Sequence, residues 1–60
     1  MTAKEVVQKL VAHGWVLDRI RGSHHIYVKE ALRPIPVPFH GKGDLGIFGK
    51  RILREAGIMD

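Results

Sequence analysis

Arg19-Ile20-Arg21-Gly22-Ser23-His24-His25-Ile26-Tyr27 is the stretch on which the reading of the whole chain turns. It has the form of a strand end, a tight turn and the start of a second strand. Gly22 can take a positive φ, so the turn can be sharp. Two arginines lead in and two of the chain's four histidines follow directly. A residue just after such a turn has a fixed position near the sheet rim, a place that suits a catalytic imidazole. The same features also describe an ordinary hairpin that carries a histidine.

Outward from the turn, Trp15 to Ile20 is rich in strand formers. Alternation puts Trp15 and Leu17 on one face, with Val16 and Asp18 on the other. His24 to Lys29 forms the second strand, with Ile26 and Val28 on one face and His25, Tyr27 and Lys29 on the other. That parity places His24 on the Ile26 face, at the outer end where core gives way to solvent, and leaves His25 as ordinary surface. Glu30-Ala31-Leu32-Arg33 makes the next connection. Pro34-Ile35-Pro36-Val37-Pro38 follows, and its three prolines remove three ladder donors. It is therefore expected as an edge strand with its prolines on the unpaired side, an edge that resists pairing with other chains. A polyproline-II segment for an aromatic groove is the competing reading.

Helical patterns flank these strands. Thr2-Ala3-Lys4-Glu5 has capping-box spacing. Ala3, Val6, Val7, Leu10, Val11 and Gly14 then keep the rhythm of a one-faced helix, with Lys4, Glu5, Gln8 and Lys9 on the other side. Gly14 is placed as its left-handed C-terminal cap, and His13 lies near the negative end of the helix dipole. Downstream, Phe39-His40-Gly41-Lys42-Gly43-Asp44 leads into a second helix expected from about Leu45 to Ala56, with Asp44 as N-cap. Leu45, Phe48, Ile52, Leu53 and Ala56 trace its apolar face, Lys50, Arg51 and Arg54 project from the other, and Gly57 ends it. Gly46 and Gly49 each weaken a helix by about 1 kcal/mol relative to alanine. They must lie in the first turn or where another backbone comes close. The expected class is α+β: helix, three-stranded antiparallel meander, helix, with both helices on one sheet face so that both apolar stripes share one core.

Sixty residues amount to a single domain near the lower size limit for independent folding. Ten Lys and Arg against six Asp and Glu give a net charge of +4. A small basic domain suits a polyanionic partner, nucleic acid first among them, although a solvated charged surface accounts for the same count. With no cysteine there is neither a disulfide scaffold nor a thiolate metal site, which suits an intracellular, cytoplasmic protein. No apolar run is long enough to span a membrane, and no signal-peptide core is evident.

The histidines carry the chemistry. His24 and His25 point to opposite faces of a strand and make poor joint ligands for one ion, so no metal is expected. A Ser23 nucleophile would need a group to orient the His24 imidazole, and none is evident. Ser23 fits better as a turn residue or a phosphate contact. Acid–base cleavage of RNA fits best, because the 2′-OH is a built-in nucleophile and histidine can move both protons. His24 and His40 are the imidazoles, with Arg19, Arg21 and Lys42 close by in sequence to meet the developing charge.

Val7-x-x-Leu10, Gly14-Trp15, Arg19-x-Arg21-Gly22-Ser23-His24, Val37-Pro38-Phe39-His40 and Ile52-Leu53-Arg54-Glu55-Ala56-Gly57-Ile58, in this order and at this length, resemble the HicA toxins of bacterial and archaeal toxin–antitoxin systems. The resemblance implies a fold like that of double-stranded-RNA-binding domains, α-β-β-β-α, in one HicA-like domain over residues 1–60. It implies metal-independent cleavage of mRNA and a HicB antitoxin that blocks the site. Carried over, His24 takes the catalytic position and Gly22 and Ser23 shape its turn. Pro38 and His40 match a second motif, with His40 a second catalytic or substrate-positioning residue. Arg19, Arg21, Lys42, Lys50, Arg51 and Arg54 are the expected RNA or phosphate contacts. The chain departs from the family pattern in its proline-rich third strand and in Gly46 and Gly49, which bears on the far wall of the site. A non-catalytic RNA-binding module of the same fold is the alternative reading, and a protein-interaction domain with an incidental basic face is a third.

Overall fold

α1 (Ala3–Ala12) starts at the capping box read from the sequence: the Glu5 amide donates to Thr2 Oγ1 at 3.2 Å and the Thr2 amide to Glu5 Oε1 at 2.8 Å. The computed structural model describes residues 1–39 and 43–58. α1 ends in a Schellman motif, with the Trp15 amide donating to the Leu10 carbonyl and the Gly14 amide to that of Val11, each at 3.0 Å. Gly14 takes the left-handed φ of 91° that this ending needs. The turn drops Trp15 back onto Leu10, and both side chains are buried.

β1 (Val16–Arg21), β2 (His24–Val28) and β3 (Ile35–Pro38) form an antiparallel meander in the order β1-β2-β3. The proline segment is therefore an edge strand, as expected. The Phe39 amide donates to the Ser23 carbonyl at 2.7 Å, and the alternation of β3 then turns the Pro36 and Pro38 nitrogens away from β2. α2 (Ile47–Glu55) closes the order α-β-β-β-α. It also ends in a Schellman motif, Ile58 amide to Leu53 carbonyl at 2.8 Å, with Gly57 at φ 76°.

Ala3, Val6 and Leu10 of α1, Ile52 and Leu53 of α2, and Tyr27, Ile35 and Val37 of the sheet belong to one buried cluster. Both helices thus cover the Tyr27–Ile35–Val37 face. That corrects the expectation that Ile26 and Val28 line the core: Ile26 is buried, but on the opposite face and outside that cluster. Tyr27 wins the core side because its partner Ile35 and their neighbour Val37 face the helices.

α2 begins two residues later than expected, and Asp44 is not its N-cap. Asp44 is drawn instead to Met1, whose amino group donates to its two carboxylate oxygens at 2.9 and 3.0 Å, and to the Gly46 amide at 2.6 Å. Gly46, at φ 59°, takes the cap position. Gly49 lies in the first turn and is buried, and a Cβ there would stand 3.4 Å from Val6 Cγ2 and 3.3 Å from Met1 Cβ. Of the two explanations offered for this glycine, the first-turn position holds; the close approach is made by side chains, not by another backbone.

Candidate nucleic-acid interface

The hairpin between β1 and β2 has a two-residue turn, Gly22-Ser23, since Arg21 pairs with His24. Gly22 takes φ 59° and Ser23 a negative φ, the pattern of a type II′ turn with glycine first. That turn fixes Arg21 opposite His24 and, two residues on, Arg19 opposite Ile26. At the far end of the same ladder Leu17 lies opposite Tyr27. Both pairings can hold only because the register shifts between Leu17 and Arg19, with Asp18 as the extra residue. Strict alternation from Leu17 would turn Arg19 and Arg21 toward the helices. The bulge reverses that parity and brings both arginines onto the face of His24, the face without helices. Asp18 also ion-pairs with Arg19 across the irregularity.

His24 itself is exposed and pairs on its other side with Pro38 at the β3 edge. It lines one end of a groove of about 780 Å³ that runs between that edge and α2. Pro36, Pro38 and Phe48 supply apolar walls, and Arg51, Arg54 and Glu55 supply charge. The imidazole thus stands at a junction, with Arg19 and Arg21 on the sheet side and two further guanidinium groups on the α2 side.

The other expected site residues divide clearly. Ser23 contributes its carbonyl to Phe39 and so ties the turn to the end of β3. Lys50 is exposed on α2 but does not line the groove. His40 and Lys42 lie outside the described residues. His25 is not ordinary surface: it is half-buried and stacked on Phe39, with ring centroids 3.9 Å apart and planes at 23°. Phe48, expected in the core, is 58% exposed and faces the groove instead. The sequence held a signal for this, since Phe48 lies three residues before Arg51 and seven before Glu55, on one side of a helix. Among the described residues no three His, Cys, Asp or Glu side chains cluster as a metal site would require.

The family model described as "HicA toxin of bacterial toxin-antitoxin" matches residues 3–58. The chain belongs to the HicA toxin family. Among solved structures, this HicA-family chain is similar to a chain of a toxin–antitoxin complex from Streptococcus pneumoniae, with 39% identity and a TM-score of 0.82. The match covers 97% of this chain and 98% of that one. The comparison with curated proteins gives no match. Family and structural likeness agree with the α-β-β-β-α fold and with a toxin role in a toxin–antitoxin system. No helix among the described residues is long and apolar enough to cross a membrane.

Proposed function

We propose that this HicA toxin is a metal-independent endoribonuclease that cleaves mRNA, with His24 as its general acid or base. The observation that carries the reading is the placement of His24: exposed, at the end of a tight hairpin, with cationic side chains on both sides. RNA brings its own nucleophile in the 2′-OH. The protein need only move protons at that oxygen and at the leaving 5′ oxygen and hold the phosphate meanwhile. Arg21, directly across the ladder from His24, is the nearest phosphate ligand on the sheet side, with Arg19 behind it. His40 remains the proposed second imidazole, and Lys42 a further phosphate contact. Gly22 holds the turn that positions His24, with Ser23 beside it. Lys50 would contribute only as remote charge.

A toxin of this kind must be held inactive, and the related chain comes from a toxin–antitoxin complex. A HicB-type antitoxin covering the His24 rim is the corresponding partner here. An mRNA substrate implies action in the cytoplasm.

The test is cleavage of labelled RNA in EDTA by the wild-type protein and by His24→Ala. General acid–base catalysis contributes about 10²- to 10⁴-fold, so the variant should lose at least 100-fold in rate while keeping its circular-dichroism spectrum. Wild-type cleavage by His24→Ala would remove His24 from the mechanism. Binding without cleavage by the wild type would favour a non-catalytic RNA-binding module.

A further inference from the structure

The groove between β3 and α2 holds more than a catalytic histidine needs. Phe48 is 58% exposed, whereas Trp15 at 2% and Tyr27 at 6% are buried and Phe39 is half-buried against the core. It stands in the groove with Pro36 and Pro38 opposite and with Arg51 one helical turn on. Alternating ring faces and guanidinium groups are what a single nucleic-acid strand requires: a flat apolar surface for the base, fixed cations for the phosphate. An A-form duplex presents phosphates, 2′-hydroxyls and base edges but no free base face, because its bases are stacked on one another.

Charge decides between RNA and an apolar protein segment as occupant. Two carboxylates, Asp44 and Glu55, line the groove alongside Arg51, Arg54 and His24. Asp44 is already engaged by the Met1 amino group and the Gly46 amide. That leaves two guanidinium groups against the one carboxylate of Glu55, a balance that favours a polyanion.

We infer that this groove is a nucleotide subsite, in which one unpaired base flanking the scissile phosphate stacks on Phe48 while Arg51 and Arg54 hold its phosphate. The inference rests on the ribonuclease reading above and extends it to the substrate. The RNA is single-stranded where it is cut, and it crosses His24 from the Arg19–Arg21 face into the groove. Two cationic zones on either side of the histidine then grip the strand both upstream and downstream of the bond that breaks.

The experiment uses the full chain carrying His24→Ala, so that RNA survives, and follows binding of fluorescent single-stranded and duplex oligoribonucleotides by anisotropy. Adding Phe48→Ala should weaken single-strand binding by about tenfold, the effect of losing one base stack, and leave duplex binding unchanged. Phe48→Trp should restore it. An oligonucleotide with an abasic sugar at the position that stacks should be indifferent to Phe48→Ala, and stepping that sugar along the strand locates the position. Phe48 is mostly exposed, so the substitutions should leave the circular-dichroism spectrum and melting temperature unaltered. In the catalytically intact chain, Phe48→Ala should raise KM with little change in kcat. Unchanged single-strand affinity and KM for Phe48→Ala would overturn the subsite while leaving the ribonuclease reading intact. A weakened antitoxin inhibition in that same variant, with RNA binding unaltered, would assign the groove to a protein partner instead. Absence of cleavage by the wild type would strike the ribonuclease reading itself.

Discussion

His24 and His25 are adjacent, yet the fold gives them different work. His24 takes its position from the turn, because a two-residue loop leaves the first residue of β2 exposed at the rim beside Arg21. His25 faces the helix side, where its ring stacks on Phe39 just past the end of β3. That stack joins the hairpin to the segment leading toward α2, and an aromatic pair of this kind contributes about 0.5–1.5 kcal/mol beyond its area. His25→Ala should therefore lower stability by about 1 kcal/mol in urea unfolding. RNA cleavage by the folded fraction should persist, the reverse of the pattern expected for His24→Ala. Loss of cleavage with unchanged stability would give His25 a chemical role. The sequence showed that the two rings point apart, since strand parity requires it. It did not show which one would find a partner, because Phe39 lies fourteen positions away and meets His25 only through the β2–β3 register.

At the scale of elements, what was legible is what is encoded within a few residues. The Thr2–Glu5 box and the glycines after each helix are local devices, and each performs as read. The prolines of β3 could occupy only an edge. The features that were not legible depend on partners far along the chain. Asp44 had the form of an N-cap, but the Met1 amino group 43 positions away competes for its carboxylate. The bulge at Asp18 reconciles a parity set by the turn with one set by the burial of Trp15 and the pairing of Leu17 with Tyr27, and no run of six residues reveals such a conflict. Phe48 fitted the apolar helical stripe and was assigned to the core, yet it sits on the groove side of α2. The hairpin that organises the site depends on the left-handed φ of 59° at Gly22, where a Cβ would meet no neighbouring atom within 4 Å. The penalty for a side chain there is therefore purely one of backbone conformation, about 1–2 kcal/mol. Gly22→Ala should lower Tm by about 8–16 °C in a domain of this size. It should also reduce cleavage beyond that loss, because the turn fixes the angle at which His24 leaves the sheet. A Tm equal to that of the wild type would show that the turn can relax to another type.

Across the whole molecule, the start of α1 and the approach to α2 meet at one seam. Thr2 bridges to Asp44, the Leu45 amide donates to the Met1 carbonyl at 2.7 Å, and Gly49 packs beneath against Val6 and Met1. Two carboxylates lie at the seam: Asp44 bridges it to the Met1 amino group, and Glu5 caps the start of α1 beside it. The Thr2 backbone amide stabilises ionised Glu5 and holds its pKa below the usual value, with the Thr2 hydroxyl adding to the effect. For Asp44 the hydrogen bond from the Met1 amino group acts first and the Gly46 amide second, again downward. A group whose pKa is lower in the folded state favours folding above its unfolded pKa, and that contribution disappears as pH falls through the folded value. Tm should therefore be nearly level from neutral pH to about 5 and then fall below about pH 4, the ordinary carboxylate range. Both groups are exposed, so the drop should be modest, and salt should shrink the part that comes from the Met1–Asp44 ion pair. A Glu5→Gln, Asp44→Asn double variant, melted across the same range, should start from a lower Tm at pH 7 and show a flatter acid limb. If its profile runs parallel to the wild type, the acid sensitivity originates elsewhere. A seam with surface carboxylates at it would then contribute geometry to the fold, aligning α2 along the groove, without contributing measurably to its stability.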